Sequence, residues 1–339
     1  MKLVIPAETR PGERRVAVVP ELVGKLKNLG LDVVVESGAG EESGATDAAY
    51  IASGATITKK IAAELKTADV VASVRPLTSA KAKLLKKSAV TVSFLSPTTD
   101  KSEIKALAAA GVTSLSFELV PRISRAQSMD ALTSQALCAG YRAALVGADL
   151  LPKFFPMLMT AAGTVQPANV LVLGAGVAGL QAIATAKRLG AKVSAYDVRP
   201  ASADEVRSMG ATFITLELEE LAAAGGYARE MTAERAAKQR ELLTPYIAKS
   251  DLVITTAAVP GRRAPQLMTA EMVQAMAPGS VVVDLAAETG GNVEGSEPGV
   301  IIEVPVDGGV VLQWGGEDVP SQLPVHASKL YAANVHSLL

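Results

Sequence analysis

A glycine-rich segment carries the clearest chemical signal in the sequence. Gly174, Gly176 and Gly179 form a Gly-x-Gly-x-x-Gly pattern directly after the apolar run Val170–Leu173. In such a pattern the first glycine permits a tight turn, the second lets the backbone approach a pyrophosphate, and the third lets a helix pack close to the strand. The N-terminus of that helix offers N–H groups and a partial positive charge to phosphate oxygens. The segment therefore predicts a dinucleotide-binding turn.

A carboxylate stands where such a turn needs one for a ribose. The strand predicted over Lys192–Tyr196 is followed by Asp197, at roughly the 20-residue separation from which a carboxylate can bind the hydroxyls of an adenosine ribose. The same charge would repel a 2′-phosphate, which favours NAD over NADP. Arg199 follows two residues later and could instead accept that phosphate, so both cofactors stay open on these residues alone.

A second glycine cluster resembles a nucleotide loop but has the wrong charge. The segment from Gly38 to Gly44 contains two consecutive acids, Glu41 and Glu42, where phosphate charge would have to lie. Because like charges repel, we interpret this segment as a structural turn.

The elements that must position these residues alternate along the chain. Short β-branched runs alternate with Ala- and Lys-rich helical stretches in two series, one before residue 117 and one from Val170 to Glu303. Such alternation is typical of parallel sheets covered by helices on both faces. We predict an α/β fold of two Rossmann-like domains with parallel sheets, joined by a long helix over Met129–Leu151.

The predicted domains are discontinuous in sequence. Residues 1–128 plus 310–339 are assigned to an N-terminal Rossmann-like domain, because the helical segment Ser321–Leu339 should pack back on it, and residues 129–309 to the NAD(H)-binding domain. The uncharged stretch between Lys153 and Lys187 is long enough to cross a bilayer by count alone. Prolines and glycines interrupt it, so we predict a buried helix–loop–strand–helix passage instead.

Composition excludes several classes of function. The 339 residues include 33 Lys and Arg against 34 Asp and Glu, a balance that does not favour nucleic-acid binding or direct membrane insertion. Only two histidines, His326 and His336, and one cysteine, Cys138, are present. No metal site, Cys–His dyad or intrachain disulfide is therefore expected. The lone cysteine fits a reducing compartment, and the N-terminus lacks a signal-peptide pattern, so we expect a cytoplasmic protein.

Longer motifs resemble one family over essentially the whole chain. They include Arg122-Ile-Ser-Arg-Ala-Gln-Ser-Met-Asp130, Gly225-Gly-Tyr-Ala-Arg-Glu-Met231, Thr255-Thr-Ala-Ala-Val-Pro-Gly261 and Asp284-Leu-Ala-Ala-Glu-Thr-Gly-Gly291. These segments and the glycine turn resemble the soluble NAD(H)-binding component (alpha-1, or domain I) of proton-translocating NAD(P) transhydrogenase. That family is related to alanine dehydrogenase, and the resemblance implies two Rossmann-like domains and a homodimer.

The resemblance implies a role for individual residues. Arg122 and Asp130 would hold the nicotinamide end of NAD(H), Gln127 would project toward NADP(H) supplied by a partner component, and Asp197 would bind the adenosine ribose. A fork donor, an amide and a carboxylate can indeed grip a carboxamide. Asp130 could instead serve only as a helix cap. The remaining residues expected to bind the cofactor are Thr133, Gly174, Gly176, Val177, Gly179, Val198, Arg199, Gly226, Tyr227, Met231, Gln239, Thr256 and Ala258.

The resemblance also implies partners and a location. Tyr227 and Met231 would lie on a loop that closes over the nucleotide and excludes water from the hydride path. Membrane-spanning and NADP-binding transhydrogenase components would bind the chain, holding it peripherally on the inner face of the membrane. Hydride transfer would be direct, and the chain would be active only with those components.

Two other functions are compared with this one. An alanine dehydrogenase needs a carboxylate anchor and a proton-transfer group; Arg14 or Arg15 could supply the first, but Ser73 and Ser96 stand near the expected Lys and His places. Glu288 stands at the place of that enzyme's Asp. A regulatory NAD-sensing module would keep the glycine turn but would not need Gln127 or a closing loop.

Overall fold

The computed structural model describes residues 1–97, 101–216, 232–259 and 262–339. The chain forms two units: unit 1 comprises Met1–Gln135 and Pro320–Leu339, and unit 2 comprises Ala136–Val319. The limits predicted for the folding domains, at 128/129 and 309/310, stay predictions. Unit 1 takes its two segments from opposite ends of the chain, and unit 2 is continuous.

Strands and helices alternate along much of the described chain. The strands are β1 Lys2–Ile5, β2 Asp32–Glu36, β3 Thr56–Thr58, β4 Val70–Ala72, β5 Val90–Ser93, β6 Thr113–Ser116, β7 Leu158–Thr160, β8 Gly163–Val165, β9 Asn169–Leu173, β10 Lys192–Tyr196, β11 Thr212–Phe213, β12 Leu252–Thr255, β13 Val281–Asp284, β14 Ile301–Val306 and β15 Gly309–Gly315. The helices are α1 Pro20–Asn28, α2 Asp47–Ala52, α3 Ile61–Thr67, α4 Ser79–Ala82, α5 Ser102–Ala110, α6 Ala131–Leu150, α7 Val177–Arg188, α8 Ser202–Ser208, α9 Ala233–Ala248, α10 Ala270–Gln274 and α11 Pro324–Leu338.

Unit 1 is built on a parallel sheet with helices around it. Within the described residues its strand order is β3-β2-β1-β4-β5-β6, and each neighbouring pair is parallel. The C-terminal helix α11 completes the core of this unit. Its Tyr331 is fully buried, packs against the rings of Phe94 and Phe117 at centroid distances of 5.4 and 5.1 Å, and donates a hydrogen bond to the Ser73 carbonyl.

Unit 2 contains the sheet that carries the glycine-rich turn. Among the described residues its strand order is β11-β10-β9-β12-β13-β15-β14. All pairs from β11 to β15 are parallel, whereas β14 runs antiparallel to β15. The strand order reverses between β9 and β12, which is the edge where doubly wound sheets bind their ligands. The predicted α/β class of two Rossmann-like sheets is confirmed, with one antiparallel strand added.

That antiparallel strand corrects the sequence analysis, which ended the second strand series near residue 303. The segment after β14 turns at Asp307 and Gly308, with Gly308 at φ +82°, and returns as β15. An Asp-Gly pair between apolar runs is a strong hairpin signal because its backbone favours positive φ. β15 then pairs in parallel with β13, so it occupies an inner position in the sheet.

Two other local predictions were wrong. The helix predicted over Ile57–Leu65 is a short strand, β3, followed by α3 from Ile61. The passage after Lys153, predicted to begin as a buried helix, forms the exposed antiparallel hairpin of β7 and β8. Pro156 removes an N–H donor, which is unfavourable inside a helix. The predicted long helix is confirmed as α6, and no described helix is long and apolar enough to cross a membrane.

The second glycine cluster is a packed turn, in agreement with the sequence interpretation. Glu41–Ser43 form a single 3₁₀ turn that ends at Gly44 in the left-handed region. A Cβ at Gly40 would lie 2.6 Å from the Ala45 carbonyl oxygen and 2.8 Å from the ring of Tyr50. The glycine is therefore needed for close packing against the chain itself.

Candidate dinucleotide site

The glycine-rich turn connects β9 to α7 in unit 2. Gly174 has φ +103°, a conformation that L side chains rarely adopt. A Cβ at Gly179 would overlap the carbonyl oxygen of Gly174, so the first turn of α7 can pack against the strand end only because this residue is glycine. Both glycines thus have the structural jobs that the spacing predicts.

Gly176 differs from its two neighbours in the pattern. It caps the N-terminus of α7 with an extended backbone, and no side chain of the described residues caps that helix end. A Cβ at Gly176 would meet nothing within 4 Å. The first N–H groups of α7, beginning at the partly exposed Val177, therefore border open space, and this arrangement fits a phosphate group.

Asp197 lies directly after β10, beside the glycine turn. Its Oδ2 accepts the Ala175 N–H at 2.7 Å, and its Oδ1 accepts the Arg199 N–H at 2.9 Å. The Arg199 guanidinium donates to both carboxylate oxygens, through Nε and Nη2, at 2.9 Å each. The Asp197 side chain is only 7% exposed. A carboxylate with this many donors holds its charge in place, and that charge faces the position where a 2′-phosphate would enter.

The other predicted residues of unit 2 surround the turn to different degrees. Thr256, just after β12, donates its hydroxyl to the Gly174 carbonyl at 3.0 Å, and Ala258 is exposed two residues further on. Val198 is partly buried beside Asp197. Gln239 is buried on α9. Three more predicted residues, Gly226, Tyr227 and Met231, lie outside the described residues.

The predicted residues of unit 1 line one cavity. Arg122 and Gln127 are exposed on and beside the 3₁₀ segment Ser124–Met129, which leads into α6. Together with Asp130 and Thr133 they border an open cavity of about 470 Å³. The sequence motif therefore brings its guanidinium, amide and carboxylate groups to the same hollow.

Asp130 also caps α6, the alternative that the sequence left open. Its Oδ1 accepts the Thr133 N–H at 2.9 Å, and its Oδ2 accepts the Thr133 hydroxyl at 2.7 Å. This is the usual bonding of a helix N-cap to the third helical residue. Each carboxylate oxygen can accept a further hydrogen bond, so capping leaves acceptor capacity toward the cavity.

A buried ionic cluster in unit 1 bears on the alanine dehydrogenase alternative. Arg15 is 3% exposed and donates to Glu13 through Nε at 2.7 Å and Nη2 at 2.6 Å. Its Nη1 donates to Gln135 at 2.8 Å. Arg75 donates to the same Glu13 carboxylate at 2.7 Å. The carboxylate that Arg15 binds is therefore the chain's own, while the exposed Arg14 pairs with Glu42.

Burial and these arginines set the protonation of the cluster. Burial alone would raise the pKa of Glu13, but the hydrogen bonds and charges of Arg15 and the charge of Arg75 lower it to about 2. Burial raises the pKa of Glu8 to about 7; the Val74 N–H hydrogen bond opposes this rise, and the nearby Glu13 charge adds to it. Two carboxyl groups in one cluster thus titrate far apart.

The positions expected to carry proton-transfer groups in an alanine dehydrogenase are engaged in local structure. The Ser73 hydroxyl donates to the Arg75 carbonyl, and the Ser96 N–H donates to Glu118. Glu288, in unit 2, accepts the Asp318 N–H at 3.1 Å. In the described residues, no group of three or more His, Cys, Asp or Glu side chains is arranged to hold a metal ion.

Sequence reasoning missed one residue near the turn. Asn292 is fully buried, and its side-chain amide bonds the backbone of the segment that follows β12. The available signal was its position shortly after the apolar run that ends in Asp284, because polar groups just beyond such strands lie at the ligand-binding edge of a parallel sheet.

Comparison with known proteins agrees with this geometry. Residues 4–139 match the family described as "Alanine dehydrogenase/PNT, N-terminal domain", and residues 143–339 match "Alanine dehydrogenase/PNT, C-terminal domain". The chain is 50% identical over 347 residues to the first part of NAD(P) transhydrogenase subunit alpha of Rhodospirillum rubrum, an alignment that covers 100% of this chain and 89% of that protein.

A solved structure and a second relative complete the comparison. The transhydrogenase structure from Sinorhizobium meliloti superposes with a TM-score of 0.89 at 46% identity, covering 100% of this chain and 93% of that one. Alanine dehydrogenase of Mycobacterium tuberculosis (strain ATCC 25618 / H37Rv) is 34% identical over 301 residues, covering 88% of this chain and 76% of that protein. The chain is thus more similar to transhydrogenase alpha subunits than to alanine dehydrogenase. Since the two matched regions together cover almost all of its length, the protein belongs to the alanine dehydrogenase/PNT family.

Proposed function

We propose that the chain is the NAD(H)-binding component of a proton-translocating NAD(P) transhydrogenase. The observation that carries the proposal is the turn at Gly174–Gly179, with space at Gly176 and a fixed carboxylate at Asp197, in a chain whose relatives are transhydrogenase alpha subunits. NADH bound at this turn supplies a hydride that passes with its electron pair to NADP⁺ on a partner component, leaving NAD⁺ and NADPH. No proton leaves or joins the reacting carbons, so the residues need not supply a general acid or base.

Each group of residues has one task in this proposal. The N–H groups at the start of α7 hold the pyrophosphate, and Asp197 accepts hydrogen bonds from the adenosine ribose. Arg122 and Asp130 hold the carboxamide of the nicotinamide end, and Thr133 stands beside them as a small hydroxyl. Gln127 projects toward the partner's NADP(H). Positioning of the two rings is then the main catalytic contribution of the chain.

The partners are a further element of the proposal. NADP-binding and membrane-spanning components on other chains would hold this one peripherally at the inner face of the membrane. A second copy of this chain is the proposed occupant of the surface formed by β7, β8 and the residues just before them. All six residues of the hairpin are exposed, and Met159 is 78% and Phe154 58% exposed. A two-stranded hairpin with apolar side chains is marginally stable in water, and pairing with a second copy would cover it.

The test of the proposed reaction is reconstitution. The chain is mixed with a transhydrogenase NADP-binding component, NADPH and an NAD analogue whose reduced form absorbs at a distinct wavelength. We expect rapid reduction of the analogue, which stops when either protein is left out. If the isolated chain instead oxidised alanine with NAD⁺, the transhydrogenase assignment would be wrong.

A further inference from the structure

The side chain of Asn292 ties together two places on the segment that follows β12. Its Oδ1 accepts the Ala257 N–H at 3.0 Å, and its Nδ2 donates to the Ala257 carbonyl at 2.8 Å. The second Nδ2 hydrogen donates to the Pro265 carbonyl at 2.8 Å. One buried amide therefore uses its acceptor and both of its donors on backbone groups of this segment.

The backbone of Asn292 is itself held from the sheet. Its N–H donates to Asp284 Oδ2 at 2.9 Å, and its carbonyl accepts the N–H groups of Leu267 and Met268 at 2.7 and 3.0 Å. Asp284 is fully buried at the end of β13 and also accepts the Thr255 hydroxyl at 3.0 Å. The amide is thus fixed to two adjacent parallel strands, β12 and β13.

The segment that Asn292 holds borders the glycine turn. Thr256, the residue before Ala257, donates its N–H to the Leu173 carbonyl at 2.9 Å and its hydroxyl to the Gly174 carbonyl at 3.0 Å. A Cβ at Gly174 would lie 3.1 Å from the Ala257 nitrogen. The position of Ala257 is therefore coupled to that of the turn through direct contacts.

We propose that Asn292 is a positioning residue for the nicotinamide half of the bound dinucleotide, an inference that rests on the proposed function. In a doubly wound sheet the two halves of a dinucleotide bind on either side of the point where the strand order reverses. The glycine turn and Asp197 belong to the half formed by β9, β10 and β11. The segment after β12 belongs to the other half, and Asn292 sets the course of its backbone without touching the nucleotide itself.

The proposal separates two ligands that share an adenosine. Replacing Asn292 by Asp keeps the shape but puts acceptor oxygens against the Ala257 and Pro265 carbonyls, so the segment must move. We expect Asn292→Asp to weaken NADH binding at least tenfold while ADP binding changes less than twofold. In the reconstituted system, the KM for the NAD analogue should rise more than kcat falls.

The controls use the same chain. Asn169→Ala removes an exposed amide at the opposite end of β9, whose contact with Asp251 is long at 3.4 Å, and should leave both affinities unchanged. Asp197→Ala should weaken NADH and ADP together. Asn292→Ser, which keeps a short hydroxyl donor, provides the same ratio if Asn292→Asp does not fold.

Calorimetric titration of each variant gives the two affinities. A loss for NADH with unchanged ADP binding supports the positioning role. Equal losses for both ligands, or no loss for either, would overturn it while leaving the NAD(H) site in place. Failure of the unaltered chain to bind NADH would overturn the proposed function as well.

Discussion

Ala175 donates its N–H to the Asp197 carboxylate at 2.7 Å, so the residue expected to bind the ribose also holds the glycine turn that is expected to bind the pyrophosphate. Arg199 reinforces this arrangement by donating to both oxygens of the same carboxylate. The ribose and pyrophosphate subsites are therefore not independent. A change at Asp197 should be felt at both.

Substitution of Asp197 tests this double role. Asp197→Ala removes a charged acceptor from the ribose and from Ala175, and hydrogen bonds to charged groups contribute about 1.5–3 kcal/mol each. We expect the Kd for NADH to rise by roughly one to two orders of magnitude. Asp197→Asn, which keeps one acceptor oxygen, should lose less.

Asp204 is the matched control for this prediction. It is an exposed carboxylate of the same unit, paired with Arg207 on α8. Asp204→Ala should leave the Kd for NADH unchanged in a fluorescence titration. Unchanged NADH binding by Asp197→Ala would contradict the ribose assignment.

Two of the glycines should respond differently to the same methyl group. Gly176→Ala meets no atom of the protein within 4 Å, so folding stability should stay within about 0.5 kcal/mol while NADH binding weakens. Gly179→Ala would overlap the Gly174 carbonyl and should lower the unfolding midpoint as well as the affinity. Thermal denaturation and NADH titration on both variants separate the two effects. Normal NADH binding by Gly176→Ala would argue against pyrophosphate at that position.

Gln127 should affect transfer rather than binding. Gln127→Asn shortens an exposed side chain that borders the cavity in unit 1 and leaves the Asp130 cap intact. We expect the rate of hydride transfer in the reconstituted system to fall about tenfold or more, with the Kd for NADH nearly unchanged, because positioning errors act mainly on the reaction step. Ser128→Ala, on the same 3₁₀ segment but away from the cavity, serves as the control. A large loss of NADH affinity in Gln127→Asn would contradict the assigned role.

The buried carboxyls predict how stability depends on pH. The pKa of Glu8 is raised from 4.5 to about 7, so the folded state holds this proton more tightly, and the free energy of unfolding contributed by Glu8 falls as pH rises from 4.5 to about 7. The pKa of Glu13 is lowered from 4.5 to about 2, so its contribution rises with pH between about 2 and 4.5. Together they place a maximum near pH 4.5.

Glu8→Gln tests the upper part of that profile. It removes the titrating group while keeping an oxygen that can accept the Val74 N–H. The fall in unfolding free energy above pH 4.5, on the order of 1–3 kcal/mol at about 1.4 kcal/mol per pKa unit, should be smaller in the variant. Denaturant midpoints measured at several pH values provide the comparison. The exposed Glu42→Gln should run parallel to the unaltered protein, and so would Glu8→Gln if Glu8 did not titrate in this range.

The hairpin surface predicts the oligomeric state. Met159→Lys places a charge on the most exposed apolar residue of β7 and should shift a dimer toward monomer in sedimentation velocity. Ile51→Lys, which alters an exposed apolar residue of α2 at 59% exposure, should leave the distribution as it was. A dimer that persists unchanged in Met159→Lys would place the interface elsewhere.

Local patterns predicted the features of the site that depend on local chemistry. The jobs of Gly174 and Gly179 follow from their spacing after an apolar strand, and the structure gives each the expected geometry. The same holds for Asp130, whose capping bond needs only the next three residues. In each case the controlling contacts lie within one turn and its flanking elements.

Contacts between distant residues could not be predicted in this way. Asn292 acts on Ala257, 35 positions earlier, and its role follows from the pairing of β12 with β13. The sharing of Glu13 between Arg15 and Arg75 likewise depends on tertiary packing. β15 was missed because its antiparallel partner is local, whereas its parallel partner β13 lies a full crossover away.

The location of α11 has a consequence for biosynthesis. Tyr331 and its neighbours Ala332 and Val335 fill the core of unit 1, although that unit begins at the N-terminus. On the ribosome, the first strands must therefore wait for nearly the entire polypeptide before their apolar interior is sealed, while the continuous unit 2 can mature earlier. Nascent chains halted before α11 should accordingly carry an open first unit, which makes them preferred clients of chaperones and proteases.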